Sequence, residues 1–139
     1  MNTITTKSAE ETFDFAAEFA KHLKVGDTLL LIGDLGAGKT NFVQGFAHGL
    51  DVPDKVYVRS PTFAIINEYN GGKYPLYHFD FYRLESVDSL IEIAFDEYVK
   101  GDGITVIEWA DKFIDEMPQN AIRIDFEILG VNERRLTVR

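Results

Sequence analysis

The sequence predicts an α/β domain whose mixed, mainly parallel sheet is flanked by helices and includes an antiparallel hairpin. Three observations predict this class. Helical and strand patterns alternate along the 139 residues. A glycine-rich loop at residues 33–40 connects a strand pattern to a helix pattern, and the run Asn70, Gly71 and Gly72 separates two further strand patterns. A chain of this length is expected to form one domain, over residues 1–139.

The N-terminal third predicts a helix followed by a buried strand. A helix over residues 8–23 is expected because Ser8 and Glu11 have the spacing of a capping box, and apolar residues then recur every four positions from Phe15. Residues 28–32 form a nearly unbroken apolar run, which favours a central parallel strand.

The loop at residues 33–40 has the sequence GDLGAGKT and completes the phosphate-binding pattern G-x-x-x-x-G-K-[ST]. Its glycines let backbone N–H groups surround phosphate oxygens, and the helix that begins at Thr40 adds partial positive charge. Lys39 can reach the β- and γ-phosphates, and the Thr40 hydroxyl can ligate Mg²⁺. The pattern predicts a P-loop NTPase fold and a chain that binds a nucleoside triphosphate or descends from one that did. The loop residues predicted to bind nucleotide are Asp34, Gly36, Ala37, Gly38, Lys39 and Thr40.

The rest of the chain supplies the other elements of the sheet. Residues 51–61 read as a loop because Pro53 and Pro61 interrupt the pattern. A helix is predicted at residues 86–99, and Pro118 ends a second, short helix. Strands are predicted at residues 63–69, 73–81, 104–107, 121–129 and 134–138.

Two acidic residues follow predicted strands, where a phosphate loop needs a carboxylate for Mg²⁺. Glu108 comes directly after the apolar run 104–107, and Asp80 follows the aromatic run 76–79. Either can lie in the metal shell while the other orients water, and a solvated carboxylate is the alternative for each. Pro61 constrains a loop that presents Ser60 and Thr62, as a switch loop or as a plain junction between loop and strand.

Composition narrows the function classes. The formal net charge is −9, from 23 acidic and 14 basic residues, which argues against a broad nucleic-acid surface. The acidity fits a nucleic-acid role exercised through a partner, or simply solubility. No cysteine is present, so disulfides and thiolate metal sites are excluded. No apolar run approaches the ~20 residues of a membrane span, so no membrane role and a cytoplasmic location are expected. The absence of an Asn-Lys-x-Asp run favours adenine over guanine.

Four motifs in this order resemble those of the bacterial TsaE proteins (YjeE). They are GDLGAGKT at residues 33–40, SPTF at 60–63, HFDFYRL at 78–84 and VIEWAD at 106–111. The resemblance implies a Mg²⁺-dependent ATPase that binds ATP and ADP and acts with the TsaD–TsaB pair. That pair transfers threonylcarbamoyl to N6 of adenosine 37 in tRNAs reading ANN codons, so tRNA is held mainly by the partner. The alternatives are a nucleotide-gated binding module and a small-molecule kinase.

The resemblance also implies roles for individual residues. It places Lys39 on the phosphates, Thr40 and Glu108 at Mg²⁺, and Asp80 as a second essential acid. Thr62 falls in the switch-like loop, and Trp109 lies beside the site. Asn41 departs from the second hydroxyl of many relatives, but its amide can still bind an α-phosphate oxygen. The implied adenine contacts come from the start of the first helix and from a basic residue near the C-terminus; they are Ala9, Thr12 and Arg135.

Overall fold

Seven strands form one sheet in the computed structural model, which describes residues 2–34, 36–59, 61 and 66–139. The strands are β1 (Asn2–Thr6), β2 (Thr28–Ile32), β3 (Ile66–Tyr69), β4 (Leu76–Asp80), β5 (Ile104–Glu108), β6 (Ile122–Ile128) and β7 (Arg134–Val138). The helices are α1 (Ala9–Ala20), α2 (Lys39–Gly49), α3 (Asp88–Glu92), α4 (Phe95–Val99) and a 3₁₀ segment (Ala110–Glu116). Among the described residues, no helix is long and apolar enough to cross a membrane.

The strand order is β1-β7-β6-β2-β5-β4-β3. The four central strands are parallel, while β3 on one side and β7 and β1 on the other pair antiparallel. Parallel strands point their carboxyl ends to the same edge of the sheet, and ligands of α/β proteins bind beyond that edge. The predicted fold class, a mainly parallel α/β sheet with an antiparallel hairpin and a P-loop, is confirmed.

Strand β1 is absent from the sequence-based interpretation. Its sequence, Asn-Thr-Ile-Thr-Thr, holds a single large apolar residue, Ile4, and four of its five residues are exposed. The strand forms because its backbone pairs with β7 at the margin of the sheet, from Asn2 opposite Val138 to Thr6 opposite Arg134. A strand held by edge pairing leaves little hydrophobic pattern to detect.

The single helix predicted over residues 86–99 is wrong, because the chain forms α3 and α4 with a break between them. Ala94 lies at the break with a left-handed φ of 54°. The turn lets Leu90 and Phe95, five positions apart, both enter the same apolar cluster. Ile91, next to Leu90 in the chain, is 75% exposed.

Helix α1 begins where the sequence predicts and ends earlier. The Ser8 side chain accepts a hydrogen bond from the Glu11 backbone N–H at 3.1 Å, and the Glu11 carboxylate accepts one from the Lys7 N–H. After Ala20 the backbone tightens into turns with bonds between residues three apart, which replace the predicted last helical turn up to Leu23.

Close packing of α1 against α2 fixes the helix that carries the phosphate loop. Gly45 and Gly49, one turn apart on α2, face the backbone of Phe13 and Ala17 on α1. A Cβ on Gly45 would come within 3.0 Å of backbone atoms of Phe13, which are held by helix geometry. The two glycines therefore allow a helix–helix distance that a larger residue would not.

We expect Gly45→Ala to lower the free energy of unfolding by about 1–3 kcal/mol, measured by urea denaturation. The direction opposes helix propensity, which favours alanine by about 1 kcal/mol, because the methyl group overlaps the α1 backbone. Gly130→Ala is the control: its Cβ would have only one neighbour, at 3.8 Å. Equal stability of the two variants would contradict the packing argument.

Candidate nucleotide site

The candidate site lies at the carboxyl edge of the central strands. The loop after β2 turns into α2, and Gly38 caps the start of that helix with a φ of 96°, a conformation that favours glycine. Gly36 is also left-handed, with a φ of 81°. Both glycines lack close neighbours on the side where a Cβ would project. Backbone conformation therefore explains them, as expected for a loop that turns N–H groups toward an anion.

Lys39 is buried at the first position of α2, with 5% of its surface exposed. Its ammonium donates a hydrogen bond to the Gly33 carbonyl and lies 3.6 Å from the centroid of the Trp109 ring. Burial lowers the pKa of Lys39 from its ordinary value, and the nearby carboxylates, Glu108 first among them, partly offset this. The described residues thus hold the Lys39 ammonium with a carbonyl and an indole rather than a bonded carboxylate.

Two oxygen donors meet where Mg²⁺ is expected. The Thr40 hydroxyl lies 3.3 and 3.4 Å from the two carboxylate oxygens of Glu108, longer than the roughly 2.7 Å of an ordinary O–H···O bond. Adjacent oxygen ligands of an octahedral Mg²⁺ stand about 3.0 Å apart, from metal–oxygen distances of about 2.1 Å. Thr40 and Glu108 therefore fit a hard divalent cation in donor type and in separation.

Asp80 lies beside Glu108 because β4 and β5 pair in register at their last residues. One Asp80 carboxylate oxygen accepts a hydrogen bond from the Tyr82 backbone N–H at 2.9 Å. Burial raises the pKa of Asp80 above its ordinary value; the Tyr82 bond opposes the shift, and the negative charge of Glu108 adds to it. The structure thus brings together both acidic residues that the sequence singled out.

Trp109 follows Glu108 with a left-handed backbone, φ 61° and ψ 34°. This conformation is uncommon for a residue with a side chain and costs of order 1–2 kcal/mol. The turn places the indole over Lys39 and against Tyr82, with ring centroids 5.0 Å apart. Strain of this kind persists where the surrounding structure maintains it, and it is concentrated at functional sites.

A small pocket of about 90 Å³ lies between the start of α1, the start of α2 and the residues around Arg134. Its lining includes the predicted contacts Ala9, Thr12 and Asn41, together with Gly38, Arg134 and three neighbouring residues. The Asn41 side-chain amide donates to the Ala9 carbonyl at 2.8 Å, and Thr12 shares a 2.6 Å hydrogen bond with Thr6. This pocket therefore contains the predicted α1 residues and is the candidate position for the base.

Arg134, which the sequence analysis missed, contacts the phosphate loop. Its guanidinium donates to the carbonyls of Gly36 and Ala37, both at 3.2 Å. Arg135, the predicted basic residue, is not brought to the pocket, and its guanidinium lies 3.5 Å from a Glu127 carboxylate oxygen. Neighbouring residues of a strand point to opposite faces, so the choice between the two depended on the register of β7.

Thr62, predicted in the switch-like loop, lies outside the described residues. His78 is fully buried, with its Nε2 2.6 Å from a Glu108 carboxylate oxygen. Its position two residues before Asp80, on the same face of β4, was the available signal.

We expect Asp80→Asn to raise the free energy of unfolding of the ligand-free protein at pH 7 by on the order of 0.5 kcal/mol. A raised pKa favours the protonated carboxyl in the folded state, so Asp80 contributes stability in acid and loses it as the pH rises through the raised pKa. The gain from Asn should therefore vanish below the ordinary aspartate pKa of about 3.9.

Urea denaturation at pH 7 and at pH 3.5 measures the difference. Asp14→Asn, at an exposed position of α1, is the matched control and should change little at either pH. A destabilising Asp80→Asn at pH 7 would contradict this electrostatic interpretation.

The amino-acid sequence matches a protein-family model and is similar to several known proteins. The family model described as "Threonylcarbamoyl adenosine biosynthesis protein TsaE" matches residues 6–136. The TsaE protein of Bacillus subtilis strain 168 is 46% identical over 132 residues, which cover 95% of this chain and 81% of that protein. The Treponema pallidum protein of the same name is 36% identical and covers 96% of each chain.

A solved structure agrees with the sequence comparison. The crystal structure of Bacillus subtilis YdiB superposes with a TM-score of 0.83 at 40% sequence identity, over 99% of this chain and 83% of that chain. The superposition thus covers nearly the whole of this chain. The chain belongs to the TsaE family.

Proposed function

We propose that this protein is a Mg²⁺-dependent ATPase that supports threonylcarbamoylation of N6 of adenosine 37 in tRNA. One observation carries the proposal: Lys39, Thr40, Asp80 and Glu108 converge at the edge of the sheet beside a glycine loop of nucleotide-binding sequence. The relatives are named for threonylcarbamoyladenosine biosynthesis, which supports the biological role.

Each residue has a distinct task in this proposal. The loop N–H groups and the Lys39 ammonium bind the phosphates, and they stabilise the negative charge that develops during transfer of the γ-phosphoryl group. Thr40 and Glu108 would hold Mg²⁺, which neutralises phosphate charge when bound. Asp80, whose carboxylate lies beside that of Glu108, orients the attacking water and accepts its proton; its raised pKa suits a proton acceptor.

We assign the tRNA contacts to partner proteins, the TsaD–TsaB pair. The net charge of −9 supports this division, because affinity for the phosphate backbone comes largely from clustered lysine and arginine. Hydrolysis by the isolated chain is expected to be slow, since partners commonly complete such sites.

Reconstitution with TsaD, TsaB and a tRNA that reads ANN codons tests the function. With ATP present, the chain should increase the modified tRNA formed per TsaD–TsaB pair beyond one turnover. Lys39→Met should lower ATP hydrolysis by roughly 100-fold or more, because a phosphate-binding cation is lost in the transition state. The same variant should reduce modification to the level seen without this chain.

Lys21→Met is the control, since Lys21 is exposed directly after α1 and pairs with Glu18. Full activity of Lys39→Met would overturn the site assignment. Support of many rounds by a non-hydrolysable ATP analogue would instead favour a nucleotide-gated binding module, and phosphorylation of a metabolite with no effect on tRNA would favour a kinase.

We expect Arg134→Ala to weaken ATP binding by about tenfold, because the guanidinium orders two loop carbonyls beside the candidate base pocket. Arg135→Ala is a closely matched control on the same strand and should leave the affinity within about twofold. Quenching of Trp109 fluorescence, from the chain's only tryptophan, measures binding. A larger effect of Arg135→Ala would instead indicate that Arg135 is the basic residue that supports nucleotide binding.

A further inference from the structure

We propose that His78 and Tyr69 are positioning residues that couple cation binding at Glu108 to the backbone of Arg59. The inference rests on the proposed function, because it takes Glu108 as a ligand of Mg²⁺. It adds a role to two buried side chains that the proposed chemistry does not use, and it connects the site to the chain that leads into the switch-like sequence at residues 60–63.

Three close polar contacts in series form the connection. Nε2 of His78 lies 2.6 Å from a carboxylate oxygen of Glu108, and its Nδ1 lies 3.0 Å from the Tyr69 hydroxyl. The hydroxyl in turn lies 2.8 Å from the Arg59 carbonyl and 3.2 Å from the Arg59 N–H. Relative exposure is 0% for His78, 3% for Glu108 and 4% for Tyr69, so bulk water competes little for these bonds.

The donors can be assigned from chemistry. An ionised carboxylate only accepts, so Nε2–H of His78 donates to Glu108. In the neutral ring Nδ1 then accepts. The Tyr69 hydroxyl has a single proton and two acceptors within reach, Nδ1 and the Arg59 carbonyl. It therefore donates to one of them at a time, which gives the series two arrangements with the same heavy-atom positions.

The two arrangements differ in their effects on the bond to Glu108 and on the main chain of Arg59. When the hydroxyl donates to Nδ1, it orients the imidazole for a strong bond to Glu108, as a second hydrogen bond does for a metal-ligand partner. When it donates to the Arg59 carbonyl, it holds the main chain instead. A Glu108 carboxylate that ligates a cation has less lone-pair density for Nε2–H, so cation binding favours the second arrangement.

The segment around Arg59 has two other anchors. The Gln44 amide, one turn after Thr40 on α2, donates to the Val58 carbonyl at 3.0 Å. The Asn67 amide donates to the Arg59 carbonyl at 3.1 Å. Residues 58 and 59 are thus attached to α2, which follows the phosphate loop, and to β3, which pairs with the strand that ends at Asp80. A change in one hydrogen bond therefore acts on a main-chain segment that is held on both sides.

The test uses NMR of the ¹⁵N-labelled full chain, saturated with a non-hydrolysable ATP analogue and titrated with Mg²⁺. In the wild type, Mg²⁺ should shift the Arg59 amide resonance together with that of Thr40. In Tyr69→Phe the Mg²⁺-induced shift of Arg59 should be lost while that of Thr40 remains. The half-saturating Mg²⁺ concentration should fall by up to about fivefold, the factor for one hydrogen bond of ordinary net strength, because the lost bond from the hydroxyl to Nδ1 favours the cation-free state.

Two further variants sharpen the result. His78→Gln retains an amide donor for Glu108 and leaves the contact of Tyr69 with Arg59 in place, so loss of the Arg59 shift here isolates the bond between His78 and Tyr69. Tyr77→Phe is the control, because Tyr77 lies next to His78 on β4 and its hydroxyl has no hydrogen bond among the described residues. It should behave as the wild type.

An Arg59 amide that ignores Mg²⁺ in the wild type, or that responds fully in Tyr69→Phe or His78→Gln, would overturn the coupling. Trp109 fluorescence with the analogue, without Mg²⁺, separates this failure from a wrong function. A wild type that binds no nucleotide would overturn the proposed function and the coupling together. One that binds but shows no Arg59 response overturns the coupling alone.

Discussion

Parallel pairing of three strands in one register is the constraint on which the site depends. Leu31 of β2 is opposite Glu108 of β5, and Glu108 is opposite Asp80 of β4. Because side chains alternate between the faces of a strand, a slip of one residue would turn Glu108 away from Thr40 and Asp80 away from Glu108. The apolar residues that fix this register are therefore as necessary to the proposed chemistry as the carboxylates.

The candidate site holds ionisable side chains at buried positions, where burial disfavours their charged forms. Burial moves the pKa of Lys39 down and that of Asp80 up, so the shifts favour the neutral form of a base and of an acid at the same place. Perturbed pKa values of this kind are concentrated at sites that bind a ligand or carry out a reaction. In the proposed function, phosphate charge and a divalent cation would supply the compensation that the protein groups lack by themselves.

The sequence predicted those parts of the fold and site that depend on local pattern. The strand at residues 28–32, the glycine loop and α2 follow one another within twenty-five residues, and Glu108 and Asp80 each end a strand. The prediction failed where tertiary contacts decide. Ala94 adopts a left-handed turn to bury its neighbours, and the side of β7 that faces the loop distinguishes Arg134 from Arg135. The contact between His78 and Tyr69 depends on the pairing of β3 with β4, which composition does not encode.

The left-handed backbone at Trp109 affects which residue types are favourable at this position. Judged by main-chain conformation alone, glycine is the most favourable residue there, since it removes the penalty of a Cβ at positive φ. The indole instead places the negative charge density of its face, at its centroid, 3.6 Å from the Lys39 ammonium, which has no bonded carboxylate among the described residues. Main-chain conformation therefore favours glycine at residue 109, whereas the contact with the Lys39 ammonium favours tryptophan. Relatives with an aromatic residue here are expected to share the same main-chain turn.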